Sequence, residues 1–369
     1  MIGIVSKCSF FSSGFTTKTQ TTAFHFPRES ALLSKSMRMM ATSNKKNLVT
    51  IPDAIAAHKQ NSKHTKFIDG SWHMPVGDKP RNGRAEFISG PRVPGALYFD
   101  IDDIAPEMGS ADNPKKLPHM KPTTTMFASA MDQMGISPSD TLYVYATNDC
   151  AFYHRAYWTL RSCGHNPALV KLMQGSLNEW KECGGELEEG QLAEDDERLF
   201  RMKDLGWEEK MPTYQGVMSD NEDVVVDMDQ VLNVINQKDA VDAVILDARS
   251  AVRFVGTAPE PRPGLRGGHM PGALNVPFTD LLDADDKTKF LPMNEVRDIF
   301  IKAGISPDED AASSRKVICS CGSGVTAAAL AIGLEECGLR NKEDIIIYDG
   351  SWIEWGSSES TPIVTSSSD

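Results

Sequence analysis

The chain has 369 residues, 40% of them hydrophobic and 24% charged, with a net charge of -13. That length exceeds one ordinary core, since cores stop growing near ~250–300 residues, and it points to two domains. No run approaches the roughly 20 apolar residues of a membrane span, and an acidic chain without a basic, aromatic-interleaved stripe has no footing on nucleic acid.

The first 46 residues hold seven Lys or Arg, one acid (Glu29) and fourteen Ser or Thr, so they carry +6 and leave -19 for the remainder. A basic, hydroxyl-rich, acid-poor leader reads as an organelle transit peptide outside the fold. A mitochondrial destination is expected, with plastid and cytoplasm as alternatives.

Beyond the leader the chain repeats itself. An apolar strand ending in an acid, Phe67-Ile68-Asp69, precedes Pro94-Gly95-Ala96-Leu97, the strand Leu142-Tyr143-Val144-Tyr145, and Gly175-Ser176-Leu177-Asn178-Glu179-Trp180. An acidic stretch follows, with eight acids between Glu182 and Glu197. The order then returns as Val244-Ile245-Leu246-Asp247, Pro271-Gly272-Ala273-Leu274, Val317-Ile318-Cys319-Ser320 and Gly350-Ser351-Trp352-Ile353-Glu354-Trp355. The first and last pairs of anchors are offset by 177 (271 minus 94) and 175 (350 minus 175) residues, which marks an internal duplication. Strands alternating with helical runs imply parallel pairing, so each half is expected to be an α/β layer structure, a parallel sheet flanked by helices. The expected boundaries are a leader over 1–46, a first domain over 47–185, a solvated acidic linker over 186–213, a second domain over 214–360 and a disordered tail over 361–369.

The seven cysteines are odd in number and lack a framework spacing, which suits a reducing compartment. Cys319 and Cys321, two apart, match neither redox nor zinc spacing, and no ligand cluster accompanies them, so neither metal nor cofactor is expected. Cys321 opens Cys321-Gly322-Ser323-Gly324-Val325-Thr326, between a β-type run and the helix former Ala327-Ala328-Ala329-Leu330-Ala331. Gly322 and Gly324 permit unusual dihedrals, so backbone N–H groups can curl around the sulfur at the positive end of the following helix. There a thiolate is favoured, as nucleophile or as sulfur carrier. A buried structural thiol is the plain alternative. A cysteine phosphatase would need Arg six positions on, where Ala327 stands. Cys319, on the strand itself, reads as core.

The loop Cys321 to Thr326, followed by Tyr348-Asp349-Gly350-Ser351-Trp352-Ile353-Glu354-Trp355, resembles the rhodanese superfamily and within it the 3-mercaptopyruvate sulfurtransferases. The likeness runs from about Val49 to Trp355. It implies tandem rhodanese-like domains with the active cysteine in the second, and Ala146 and Thr147 stand at the corresponding place in the first.

Thiosulfate sulfurtransferases of this kind show cations directly after the cysteine, whereas this loop has Gly-Ser-Gly. The resemblance therefore implies 3-mercaptopyruvate as donor, with thiosulfate as the alternative. It implies a thiol or cyanide acceptor, thioredoxin among the thiols, and substrate-binding roles for Arg253 and Arg262, whose forks suit a carboxylate. It further implies proton handling by Ser323 with Asp102 and His119 from the first domain, which would put the site at the domain interface. Two departures stand out: Arg92 precedes the first Pro-Gly where His269 precedes the second, and Asn113-Pro114-Lys115-Lys116 replaces the usual pattern before His119. Asp247 and Arg249 are expected to pair beneath the loop. The rival from another class is a non-catalytic interaction module, and no oligomeric state is specified.

Overall fold

The computed structural model describes residues 47–76, 78–193, 195–199, 212–216, 224–237, 243–307 and 315–365. The leader, residues 194 and 200–211 of the expected linker and the last four residues lie outside them.

The first sheet contains β1 (Leu48–Thr50), β2 (Thr65–Asp69), β3 (Leu97–Tyr98), β4 (Thr141–Tyr145) and β5 (Val170–Gln174), in the order β1-β5-β4-β2-β3. The second contains β6 (Val225–Val226), β7 (Ala243–Asp247), β8 (Leu274–Asn275), β9 (Lys316–Ser320) and β10 (Ile345–Tyr348), in the order β6-β10-β9-β7-β8. Every pairing in both is parallel. The topology is one pattern used twice, the expected tandem α/β architecture.

The helices repeat as well. In the first half they are α1 (Ile51–Lys59), α2 (Gly83–Ser89), α3 (Thr124–Gln133), α4 (His154–Ser162) and α5 (Leu177–Glu182). In the second they are α6 (Met228–Asn236), α7 (Ala251–Phe254), α8 (Met293–Lys302), α9 (Ala327–Glu336) and α10 (Ser351–Trp355). Local chemistry starts them: Thr50 accepts a hydrogen bond from Asp53 N, Thr123 from Met126 N, and Asp227 forms a capping box with Gln230. The Pro-Gly turns before β3 and β8 put Gly95 at φ 72° and Gly272 at φ 75°, a left-handed region that side chains avoid.

Helices α4 and α9 depart from amphipathic patterning. All nine residues of α4 are buried, as are Ala327 through Leu334 of α9, because each lies between its own sheet and the other half. They pack on one another, and a single cluster of buried apolar side chains runs from Ile68 and Phe127 through Tyr157 to Leu330 and Ile347.

The connecting segments are tied to the domains at particular residues where they are described. The start of the acidic linker is exposed along much of its described length but pinned at points: Leu192 and Leu199 are buried against the first domain, and Glu188 pairs with Arg92 and Arg198, 2.7 Å each. The cause is Arg92, whose side chain is buried and needs an anion. Residues 361–365, expected as disordered tail, are tied down because Thr361 Oγ1 donates to Trp355 O at 2.6 Å and His269 and Val364 exchange backbone hydrogen bonds. Here too the halves match: Arg92 bridges Glu188 as His269 bridges Val364, and Trp180 Nε1 donates to Glu186 O as Trp355 Nε1 donates to Pro362 O.

Candidate active site

In the second sheet the strand order reverses between β7 and β9, and crevices outside the carboxyl ends of strands at such points are ligand sites. Both strands run out there into an open cleft of about 580 Å³, walled by Arg249 and Ser250 after β7, by the Cys321 loop after β9, and by Met74 and Phe152 of the first domain. Cys321 is 2% exposed, at the floor.

The loop is held from below. Cys321 N donates to Ser351 Oγ at 3.1 Å, Trp352 N donates to Cys321 O at 3.0 Å, and Ile353 N donates to Gly322 O at 2.9 Å. Gly324 has φ 83°, and a Cβ there would stand 2.9 Å from Asp349 O. Among the described residues, the backbone N–H groups of Gly322, Ser323, Gly324, Val325 and Thr326 donate to no protein acceptor. The counterpart loop of the first domain is different: Thr147 N donates to Ser71 Oγ at 2.8 Å and Cys150 N to Thr147 O. The second-domain loop leaves all five donors open, whereas the first-domain loop uses two of its own, one of them on Ser71. Cys319, on β9, is fully buried, and burial pushes its thiol up.

Arg253 comes from α7 and lines the cleft; its Nη2 lies 3.2 Å from the position a Gly322 Cβ would take. A buried carboxylate sets its direction, since Glu260 pairs with both Arg253 and Arg249 and Arg249 pairs with Asp247 at 2.6 Å. The expected Asp247–Arg249 pair is thus half of a longer network, and the Arg249 guanidinium also stacks 3.9 Å from the Trp352 ring centre. Burial and then Arg253 push Arg262 down from its ordinary value, while the charges of Cys321 and Asp102 oppose this.

Asp102 and His119 stand together: His119 Nδ1 meets Asp102 Oδ1, and Trp72 Nε1 donates to Asp102 Oδ2 at 2.8 Å. His119 is buried, in a left-handed backbone conformation at φ 60°. Its Nε2 lies 3.3 Å from Arg262 Nη2. Ser323 is buried and lines the cleft with Cys321; among the described residues no hydrogen bond joins it to His119. The structure therefore gathers the expected residues as two neighbouring groups, Cys321 with Ser323 and Arg253, and Arg262 with His119 and Asp102. No group of three or more His, Cys, Asp or Glu among the described residues is arranged to hold a metal.

Four participants carried no role in the sequence reading. Glu260 stood inside the arginine-bearing stretch, and its spacing from Arg253 and Arg262 was the one available signal. Ser351 and Asp349 lay in the quoted motif without a partner to explain them, and Arg155, which donates to Gly324 O, had no local signal.

A family model described as rhodanese-like domain matches residues 227–358. A Schizosaccharomyces pombe protein named probable 3-mercaptopyruvate sulfurtransferase is 34% identical over 309 residues, covering 84% of this chain and 92% of that one. The Arabidopsis thaliana protein named thiosulfate/3-mercaptopyruvate sulfurtransferase 1, mitochondrial, is 35% identical over 308 residues, covering 81% and 73%. The crystal structure of SseA from Escherichia coli, described as a 3-mercaptopyruvate sulfotransferase of rhodanese fold, superposes with a TM-score of 0.60 at 30% identity, covering 83% and 98%. With likeness of this degree running through both halves, the chain belongs to the rhodanese superfamily, among the tandem-domain 3-mercaptopyruvate sulfurtransferases.

Proposed function

We propose that this chain moves sulfur from 3-mercaptopyruvate onto Cys321 and on to a thiol or cyanide, releasing pyruvate. The observation that carries the reading is a buried cysteine lining a cleft and followed by five backbone N–H groups that have no protein acceptor among the described residues, with an arginine in the wall. Arg253 and Arg262 hold the donor carboxylate and carbonyl. The Cys321 thiolate attacks the donor sulfur, an S–S bond forms, the donor C–S bond breaks, and its electron pair leaves as the enolate of pyruvate. The proton lost by the donor thiol ends on that carbon, so the step is proton-neutral; Ser323, His119 and Asp102 are assigned to carry it. The persulfide left behind is an anion suited to the loop N–H groups.

Because Cys321 is 2% exposed, an acceptor has to enter the cleft. That favours small thiols, cyanide, or a protein thiol on a protruding loop such as that of thioredoxin.

Mass spectrometry after donor addition should show one added sulfur on Cys321 and matching pyruvate in solution. No adduct, or the same adduct in Cys321→Ser, refutes the assignment. Thiosulfate is the second donor reading, favoured by the reach of Arg253 over Gly322. Under the first reading Arg253→Ala and Arg262→Ala harm turnover of the keto acid more than of thiosulfate. Residues 1–46 are assigned to mitochondrial import, in keeping with the basic leader and the mitochondrial plant relative.

A further inference from the structure

We propose that Arg155, in the domain that lacks the active cysteine, is a positioning residue that sets the sulfur-binding loop of the other domain. The inference rests on Cys321 being the sulfur carrier. Arg155 sits in the first turn of α4 and is 1% exposed. Its Nη1 donates to Gly324 O at 3.0 Å, its Nη2 donates to His119 O at 2.8 Å, and Nη2 pairs with Asp349 Oδ1 at 2.7 Å. The Trp158 ring lies under the guanidinium, 4.6 Å from ring centre to Cζ. A planar fork fixed at this many points imposes one geometry on all its partners.

Each partner is one step from the chemistry. The peptide between Gly324 and Val325 is planar and trans, so its C=O and N–H point in opposite directions. Holding the Gly324 carbonyl toward α4 turns the Val325 N–H back into the loop. Asp349 lies two residues before Ser351, the acceptor of the Cys321 N–H, and its Oδ2 accepts from Lys121 N at 2.6 Å, two residues after His119. One buried cation thus registers the amide cradle, the segment beneath it and the His119 segment against each other.

The same helix supplies a control. Arg161 pairs with Glu335 through two 2.7 Å contacts across the same interface, and neither residue touches the loop. A role limited to holding the domains together is shared by both arginines; a role in setting the loop belongs to Arg155 alone.

The test compares the full chain with Arg155→Lys, Asp349→Asn and Arg161→Lys, well below every unfolding transition. Pyruvate release from 3-mercaptopyruvate and the rate of Cys321 alkylation by iodoacetamide are measured for each. For Arg155→Lys, kcat should fall by about 100-fold with KM unchanged, as expected for reacting groups displaced by a fraction of an ångström. Alkylation should slow by about tenfold as the thiolate loses its donors. Asp349→Asn should lose less in the same direction, and Arg161→Lys should lower the Tm while leaving both rates near wild type. Rates in Arg155→Lys no lower than in Arg161→Lys, or a loss confined to KM, overturn the proposal. Should Arg155→Lys not fold, unchanged kcat and alkylation in Asp349→Asn overturn it. A wild-type chain that forms neither persulfide nor pyruvate refutes the functional reading instead, and the alkylation comparison then still tests the positioning role.

Discussion

Asp69 and Asp247 end the same strand of the two repeats, and the residue two positions on gives them opposite characters. Asp247 meets Arg249 at 2.6 Å, so its buried charge is neutralised. Asp69 has Ser71 there, which offers only hydroxyl and amide hydrogen bonds, and burial pushes its carboxyl up to about 6. A raised carboxylate means that the folded state holds a proton which the unfolded state releases near its ordinary value of 3.8. Stability therefore falls as pH rises between those values, and the penalty is complete above about pH 6. Asp69→Asn should remove it, a gain of up to roughly 3 kcal/mol at pH 8 and none at pH 3.5. Urea denaturation at the two values checks this, and an equal gain at both would contradict it. The buried aspartate without a cation belongs to the repeat without the cysteine, consistent with Arg249 serving the active cleft.

Short helices α5 and α10 grow from the same pattern, Gly-Ser followed by a helical turn bearing Glu-Trp (Glu179-Trp180 and Glu354-Trp355), yet their entries differ. Before α5 the unusual backbone lies at Gly175, φ 138°, and Ser176 is an ordinary cap accepting from Glu179 N. At α10 it moves one residue on, into the first helical position: Gly350 has φ -64° and Ser351 takes φ 50°. The displaced serine accepts from Cys321 N and donates to Tyr348 O at 2.8 Å. A side chain in the left-handed region costs roughly 1–2 kcal/mol, and strain of this kind gathers at functional sites. Ser351→Gly relieves the strain and loses the hydroxyl, whereas Ser351→Ala keeps the strain and loses the hydroxyl as well. Both should slow pyruvate release by about tenfold, the worth of one buried hydrogen bond, and Ala should be the less stable by about 1 kcal/mol. Equal stability of the two variants would remove the strain argument, and unchanged turnover would remove the catalytic one.

At the scale of the whole molecule, the described residues form one compact unit, and its largest apolar cluster ignores the boundary between the repeats. Charged contacts cross the same seam: Arg161 with Glu335, Lys115 with Glu354 at 2.6 Å, and Lys289 with Glu179 at 2.6 Å. Glu354 also accepts from Tyr348 Oη at 2.8 Å, so the departure Lys115 anchors the loop carrying His119 to the second domain. Domains sharing a core should unfold together. Calorimetry is expected to give one transition whose calorimetric and van't Hoff enthalpies agree; two resolved transitions would show that the repeats are independently stable.

The features legible in the sequence are those written in consecutive residues or in a repeat. The duplication, the parallel α/β class, the cysteine loop with its two glycines and the pair Asp247–Arg249 depend on spacing, backbone freedom and short-range charge. They survive whatever the halves do to each other. What the tertiary structure alone decided are partnerships between residues far apart in the chain. Examples are Arg155 reaching Gly324 and Asp349, Arg92 drawing in Glu188 so that the start of the linker is tied to the first domain, and Val364 pairing back onto His269. A buried charge must find a counter-charge, and a loop amide stays unpaired only if no acceptor reaches it. Both conditions are set by how two sheets and the two helices packed between them come together.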